Sequence, residues 1–173
     1  MNDNLLAKHF RQPKLYIQFP SKGNFYPDGS LEETETGDYP IFAMTAKDEL
    51  TMKTPDALLN GQATVSVIQS CVPNIKNAWH LPSIDVDAIL IAIRIATYGE
   101  KMDLTFNIKE IDEERTFEVD LRSVLDQLTS EPYENIIDTD TVRFEVSPLT
   151  YKYFTQIAMK SFEEQRLFAS VND

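Results

Sequence analysis

Apolar side chains recur along this chain with three different spacings, and each spacing predicts a different element. Between Asp85 and Tyr98 they crowd nearly every position: Val86, Ala88, Ile89, Leu90, Ile91, Ala92, Ile93, Ile95 and Ala96. A helix that is apolar almost all round belongs at the centre of a domain. Gly99 follows as a suitable C-terminal stop. Beyond it the period drops to two. Leu104, Phe106 and Ile108 alternate with polar residues, and so do Phe117, Val119 and Leu121. The charged run Glu110–Glu114 lies between them, which predicts an antiparallel hairpin with one face on a core. Val142, Phe144 and Val146 repeat the alternation, and either stand apart or extend the hairpin to a three-stranded meander. Ser123–Leu128 reads as a single helical turn.

The third spacing is helical and one-sided. Phe154, Ile157, Ala158, Ser161, Phe162, Gln165, Phe168 and Ala169 follow at intervals of three and four, predicting a long amphipathic helix of about five turns from near Leu149. Shorter helices are predicted upstream. Thr45 with Asp48 forms a capping-box variant, Thr54-Pro55-Asp56 gives a second start and Asn60-Gly61 its stop. Gln62–Cys71 fits helix better than strand, although its β-branched content serves both. Residues 1–40 differ: Pro13, Pro20, Gly23, Pro27, Gly29, Gly37 and Pro40 interrupt any regular element. An extended arm or irregular hairpin is predicted there, with strands within Lys14–Phe19 and Tyr39–Met44. The fold class is α+β: a central buried helix with flanking short helices, an antiparallel hairpin or meander in the C-terminal half, and a long C-terminal helix. The expected division is an arm over 1–40 and a single α+β domain over 41–173.

Composition narrows the classes. A chain of 173 residues with 42% hydrophobic content has material for one real core. The single Cys71 excludes a disulfide framework and fits a reducing compartment. The net charge of −12 argues against nucleic-acid binding, which needs clustered Lys and Arg. No signal-peptide pattern opens the chain, and Val86–Ala96, broken by Asp87 and Arg94, is too short to span a membrane.

Candidate chemistry is sparse. His9 falls in the predicted arm and His80 in a loop, with no metal-ligand spacing around either, so neither a metal nor a cofactor is expected. Cys71 ends an apolar segment, where a buried thiol is the simple expectation. Asp85 and Asp87 flank the start of the central helix, where negative charge is favourable without any catalytic role. No phosphate loop or nucleophile motif is present, so the chain is not expected to be an enzyme.

Two features stand out. Arg94 sits among Ile91, Ile93 and Ile95, and its charge requires either an internal partner or an interface. Phe19-Pro20-Ser21-Lys22-Gly23-Asn24-Phe25-Tyr26-Pro27 concentrates aromatic rings beside turn-forming residues. That loop either folds on its own core or offers anchors to another subunit. The candidate partner-binding residues are therefore Phe19, Pro20, Phe25, Tyr26, Arg94 and Tyr98.

Arg94-Ile95-Ala96-Thr97-Tyr98-Gly99 resembles the signature hexapeptide of T-even-type phage baseplate proteins, the hub subunits and hub assembly proteins. The Phe19–Pro27 segment is similar to their N-terminal pattern, as are Met44-Thr45-Ala46-Lys47-Asp48-Glu49 and the following Thr54–Leu59 segment. These matches run in order from about residue 14 to 100. The resemblance implies a noncatalytic structural or assembly role in the hub of a contractile phage tail, with other hub or tail proteins as partners. It also implies assembly in the host cytoplasm, a place in the virion tail baseplate, and compatibility with a homo-oligomer in a symmetric hub. Some related phage proteins carry cysteine pairs after the hexapeptide; Lys101–Glu110 has none, so no metal is carried over.

Two alternatives accompany that expectation: a transient assembly chaperone absent from the finished virion, and a carboxylate-based metal-dependent hydrolase motivated by clustered acids alone. Much of the acid excess lies in Asp28–Asp38, Glu110–Glu114 and Glu131–Asp140, whereas Phe19–Pro27 and Arg94–Gly99 contain no acid. Acidity would then serve solubility, leaving docking to the acid-free segments.

Overall fold

The computed structural model describes residues 11–108, 113–131 and 133–171. The expected N-terminal residues around His9 and the tip of the Glu110–Glu114 turn lie outside the described residues.

The central helix forms as the sequence predicts, two residues earlier: α4, in chain order, spans Ser83–Tyr98. It buries Val86, Ala88, Ile89, Ala92, Ile93 and Ile95. Three upstream helices lie against or near it: α1 (Ala46–Met52), α2 (Pro55–Leu59) and α3 (Gln62–Cys71). The capping box at α1 is complete, with Thr45 and Asp48 each bonding the other's backbone. Pro55 opens α2, where its missing N–H costs nothing. The β-branched residues of α3 do not prevent a helix, because Val65, Val67 and Ile68 are buried against the rest of the core and packing outweighs a weak propensity.

Strand β1 (Leu15–Ile17) pairs antiparallel with β2 (Tyr39–Ile41), placing Leu15 opposite Ile41 and Ile17 opposite Tyr39. Both fall within the predicted strand segments. Ile17, Phe19, Tyr39 and Ile41 join α3 and α4 in one hydrophobic cluster. The loop between the strands is tied down as well: Glu32 N donates to Asn74 O at 2.8 Å and Lys76 N to Ser30 O at 2.8 Å.

Gly99 ends α4 at φ +94° and ψ 176°, a region that side-chain-bearing residues scarcely enter. The chain then leaves the core as the predicted hairpin, β3 (Lys101–Ile108) with β4 (Glu113–Asp120), in the register Leu104↔Phe117 and Met102↔Val119. Met102 and Val119 at its base pack on the core, whereas Phe106 and Phe117 stay 54% and 52% exposed. The expectation that one face of the hairpin covers a core therefore holds only at its base. Eight-residue strands run about 27 Å and outreach the body beneath them.

Asp120 caps α5 (Leu121–Ser130) by accepting from Arg122 N at 2.9 Å, so the predicted single turn becomes a ten-residue helix with Leu121 and Leu125 in the core. The third alternating run does not extend the first hairpin. Its strand β6 (Arg143–Glu145) pairs instead with β5 (Ile136–Asp138), a segment whose alternation is too short to mark it.

The C-terminal helix α6 spans Tyr151–Val171. Its start is fastened by Tyr151 N to Leu81 O at 2.7 Å and by Trp79 against Tyr151, ring centroids 5.9 Å apart. Gly61 is required here: it opens α3 at φ +78°, and a Cβ on it would stand 3.1 Å from Thr155. Beyond Met159 the helix leaves the body, and residues 161–169 are all exposed.

Candidate functional site

Three of the segments picked out in the sequence meet at α4. The first is the loop from Phe19. Asp85, in the first turn of α4, is completely buried and faces it. The Asp85 carboxylate accepts from Ser21 N at 2.8 Å, from Ser21 Oγ at 2.6 Å and from the Tyr26 hydroxyl at 2.8 Å. Asp85 makes no salt bridge among the described residues. Burial pushes its carboxyl above the ordinary carboxylate range, against the opposing pull of the Ser21 and Tyr26 hydrogen bonds. Burial, and then the Asp85 charge, push the Tyr26 phenol up in turn.

This clamp holds a strained turn. Lys22 and Phe25 adopt φ +55° and +69°, which costs non-glycine residues on the order of 1–3 kcal/mol each and persists only where the surroundings enforce it. The clamp also fixes where the aromatic rings go. Phe19 is completely buried, stacked on Tyr39 with centroids 4.2 Å apart, and Pro20 is buried beside it. Tyr26 is part-buried near Phe19, at 6.2 Å. Phe25 is half-buried and packs edge-on against Tyr133 at 5.7 Å. Of the two readings of this loop, the structure realises packing on its own core for Phe19, Pro20 and Tyr26. Phe25 and Tyr26 are both only partly buried, and of the two Phe25 makes no hydrogen bond to the Asp85 clamp.

The other two segments meet at the far end of α4. Tyr98 lies 13 residues beyond Asp85, a rise of about 20 Å. The guanidinium of Arg94 sits 4.5 Å from the centroid of the Tyr98 ring. Arg94 Nη1 is shielded from solvent yet has no hydrogen-bond acceptor among the described residues. The Tyr98 ring is 54% exposed, and the Glu49 carboxylate near its hydroxyl raises the phenol above its usual range. One residue earlier, Thr97 Oγ1 donates to Ile93 O at 2.7 Å and accepts from Met44 N at 2.9 Å. The hexapeptide thus divides its work. Ile95 is core, Thr97 fastens the start of Met44–Glu49, Gly99 ends the helix, and Arg94 with Tyr98 faces outward.

Asp85 as a clamp is not visible in the sequence, where a carboxylate at a helix start already has a sufficient explanation. A second buried acid was missed for the same reason. Asp48 caps α1, but it also accepts from Ser70 Oγ at 3.0 Å and faces Arg11 at 3.7 Å. Burial alone would raise the Asp48 carboxyl; the Thr45 and Ser70 hydrogen bonds and the Arg11 charge outweigh it and hold the carboxyl below its usual range. Arg11 also donates to Ser70 O at 2.8 Å and to Ala43 O. Cys71 lies beside Arg11 at 3.3 Å, its thiol pushed up by burial.

His80 borders a cleft of about 370 Å³ between Trp79 and α6, lined also by Asn60, Asn77 and Gln156. Its ring lies 3.5 Å from the Asn77 amide. Among the described residues no group of three or more His, Cys, Asp or Glu side chains is placed to hold a metal ion. No helix among them is long and apolar enough to cross a membrane.

The family model described as T4 bacteriophage base plate protein matches residues 30–171. The match therefore takes in both the Met44–Glu49 and Arg94–Gly99 segments and the whole C-terminal half, and begins after the Phe19–Pro27 loop. No curated protein and no solved structure matches the chain.

Proposed function

Since the chain belongs to the T4 bacteriophage base plate protein family, we propose that it is a noncatalytic component of the baseplate hub, acting through protein–protein contacts with other hub or tail proteins. The observation that carries this reading is the Arg94–Tyr98 pair. The Arg94 guanidinium stacks on the Tyr98 ring at 4.5 Å, its shielded Nη1 has no acceptor among the described residues, and no salt bridge among them neutralises its charge. An acidic partner group is attracted to this charge, and the 54%-exposed Tyr98 ring supplies apolar contact beside it. Part-buried Phe25, near the other end of α4, is a second contact.

The proposed contact surface is thus smaller than the six residues marked in the sequence. Phe19, Pro20 and Tyr26 support it from inside by fixing the loop that carries Phe25. Assembly in the host cytoplasm and residence in the tail baseplate follow from the same role.

Co-expression with hub proteins of the same phage, followed by size-exclusion chromatography, tests the proposal. A stable complex that Arg94→Ala abolishes is the expected result; no complex with any hub protein overturns it. Mass spectrometry of purified virions then separates a retained subunit from an assembly chaperone. Peptides of this chain in the finished particle are expected.

A further inference from the structure

Helix α6 is exposed over most of its length. One edge of it, Tyr151, Thr155 and Met159, lies on the body. The stripe beside that edge runs through Phe154, Ile157, Ala158, Ser161 and Gln165, bordered by Phe162, and contains no charged residue. Phe154, Ile157 and Phe162 are 54%, 57% and 51% exposed. Large apolar side chains aligned on one helix face and left in water mark an interaction surface.

We propose that this stripe is covered by the same stripe of a second copy of the chain, the two α6 helices lying antiparallel about a two-fold axis near Ser161. The charges on the helix select this occupant. The whole chain carries −12, but α6 holds Lys152, Lys160 and Arg166 against Glu163 and Glu164, so the helix does not repel its own copy. Lys160 and Glu164 flank the stripe on the side away from the body, one turn apart. Neither takes part in an ion pair among the described residues. Antiparallel pairing centred near Ser161 brings Lys160 of each copy beside Glu164 of the other, twice over. Parallel pairing about a two-fold along the helices puts the Lys160–Glu164 flanks of the two copies on opposite sides of the seam, so these charges do not meet and the pairing gains nothing from them.

Size and shape agree. Ser161 at the crossing point is small enough for close approach of the helices. A stable dimer buries about 800 Å² per partner, more than one helix stripe supplies. In the antiparallel arrangement the body of each copy sits beside the distal half of the other helix. Phe162 and Arg166, seven and eleven residues after Thr155, face the side on which that body lies. The interface thereby extends past the helix pair. A self-complementary patch of this kind closes as a two-fold dimer. The inference does not depend on the hub assignment.

Light scattering coupled to size-exclusion chromatography on the full chain, from low to high micromolar concentration, is expected to give the mass of two subunits at the upper end. Ile157→Glu combined with Phe162→Glu is expected to give one subunit with an unchanged circular-dichroism spectrum, since both positions are exposed. Lys160→Glu and Glu164→Lys should each weaken the dimer at least tenfold, and the two together should restore it. Ser161→Cys should form an interchain disulfide on mild oxidation, and Gln156→Cys should not. A single-subunit mass throughout overturns the proposal, as does a dimer lacking both the charge-swap rescue and the Ser161→Cys cross-link. A single-subunit protein that uses this stripe only to hold another baseplate protein also overturns it, and leaves the hub reading standing.

Discussion

Asp85 and Ser21 lie 64 positions apart in sequence, yet the Asp85 carboxylate takes two hydrogen bonds from Ser21, at 2.8 Å from its amide and 2.6 Å from its hydroxyl. The pair fastens the N-terminal loop to the first turn of the central helix. Replacing Asp85 with Ala leaves both Ser21 donors and the Tyr26 hydroxyl unpaired in a buried place, at about 1–3 kcal/mol per orphaned group. Asp85→Ala is expected to lower stability by at least about 3 kcal/mol in urea denaturation. Ser21→Ala, which removes one hydroxyl, should cost less than half as much.

Asp85 and Asp48 should respond to pH in opposite directions. The folded protein raises the Asp85 carboxyl above its ordinary 3.8, so the stability from this group is full below 3.8 and is lost as pH rises through the folded value. Asp48 is lowered from 3.8, so its contribution is present above 3.8 and is lost as pH falls through the folded value. Denaturation of wild type, Asp85→Asn and Asp48→Asn across a pH series checks this. The advantage of wild type over Asp85→Asn should shrink with rising pH, and its advantage over Asp48→Asn should grow.

Phe19 is a core residue, stacked on Tyr39 at an interplanar angle of 3°. Phe19→Ala should therefore cost about 3–5 kcal/mol. At about 2–4 °C per kcal/mol for a chain of this size, the thermal midpoint should fall by about 10 °C. Phe25→Ala should shift it far less than Tyr26→Ala, which also breaks the bond to Asp85. Equal shifts for Phe25→Ala and Phe19→Ala would contradict the partial burial of Phe25 against the complete burial of Phe19.

Arg94 stacks on a half-exposed ring and has no acceptor for Nη1 among the described residues. Arg94→Ala should accordingly leave the thermal midpoint nearly unchanged and remove partner binding in co-purification. Arg94→Lys keeps the charge but loses the planar stack, and should not restore binding. Thr97→Val supplies the contrast. It loses the bonds to Ile93 and Met44, so it should lower stability first and binding only as a consequence.

Glu32, Glu33 and Glu35 lie in the acidic loop, where the bridge from Lys76 to Glu32 at 2.7 Å is exposed. Changing all three to Gln should reduce solubility near neutral pH while leaving the midpoint in place, since exposed ion pairs contribute little. Turbidity at increasing concentration, set beside a thermal melt, measures both.

Local pattern determined most of the elements here. The near-continuous apolar run of α4, the alternation in β3 and β4, the capping box at Thr45 and the Pro55 and Gly61 boundaries each rest on interactions within a few residues, which a sequence displays directly. The Arg94–Gly99 hexapeptide also showed that an arginine in an apolar helix needed an explanation. Tertiary structure alone decided which partner each of these met. Periodicity says that a face is apolar but not what covers it: the face of α6, amphipathic by spacing, extends past the body, and the outer part of the β3–β4 hairpin does the same. The aromatic loop from Phe19 went inward because Asp85 had buried hydrogen-bond capacity to fill and Ser21 and Tyr26 could fill it. Such pairings depend on distance in space, and residues 21 and 85 have no relationship in the sequence until the chain has folded.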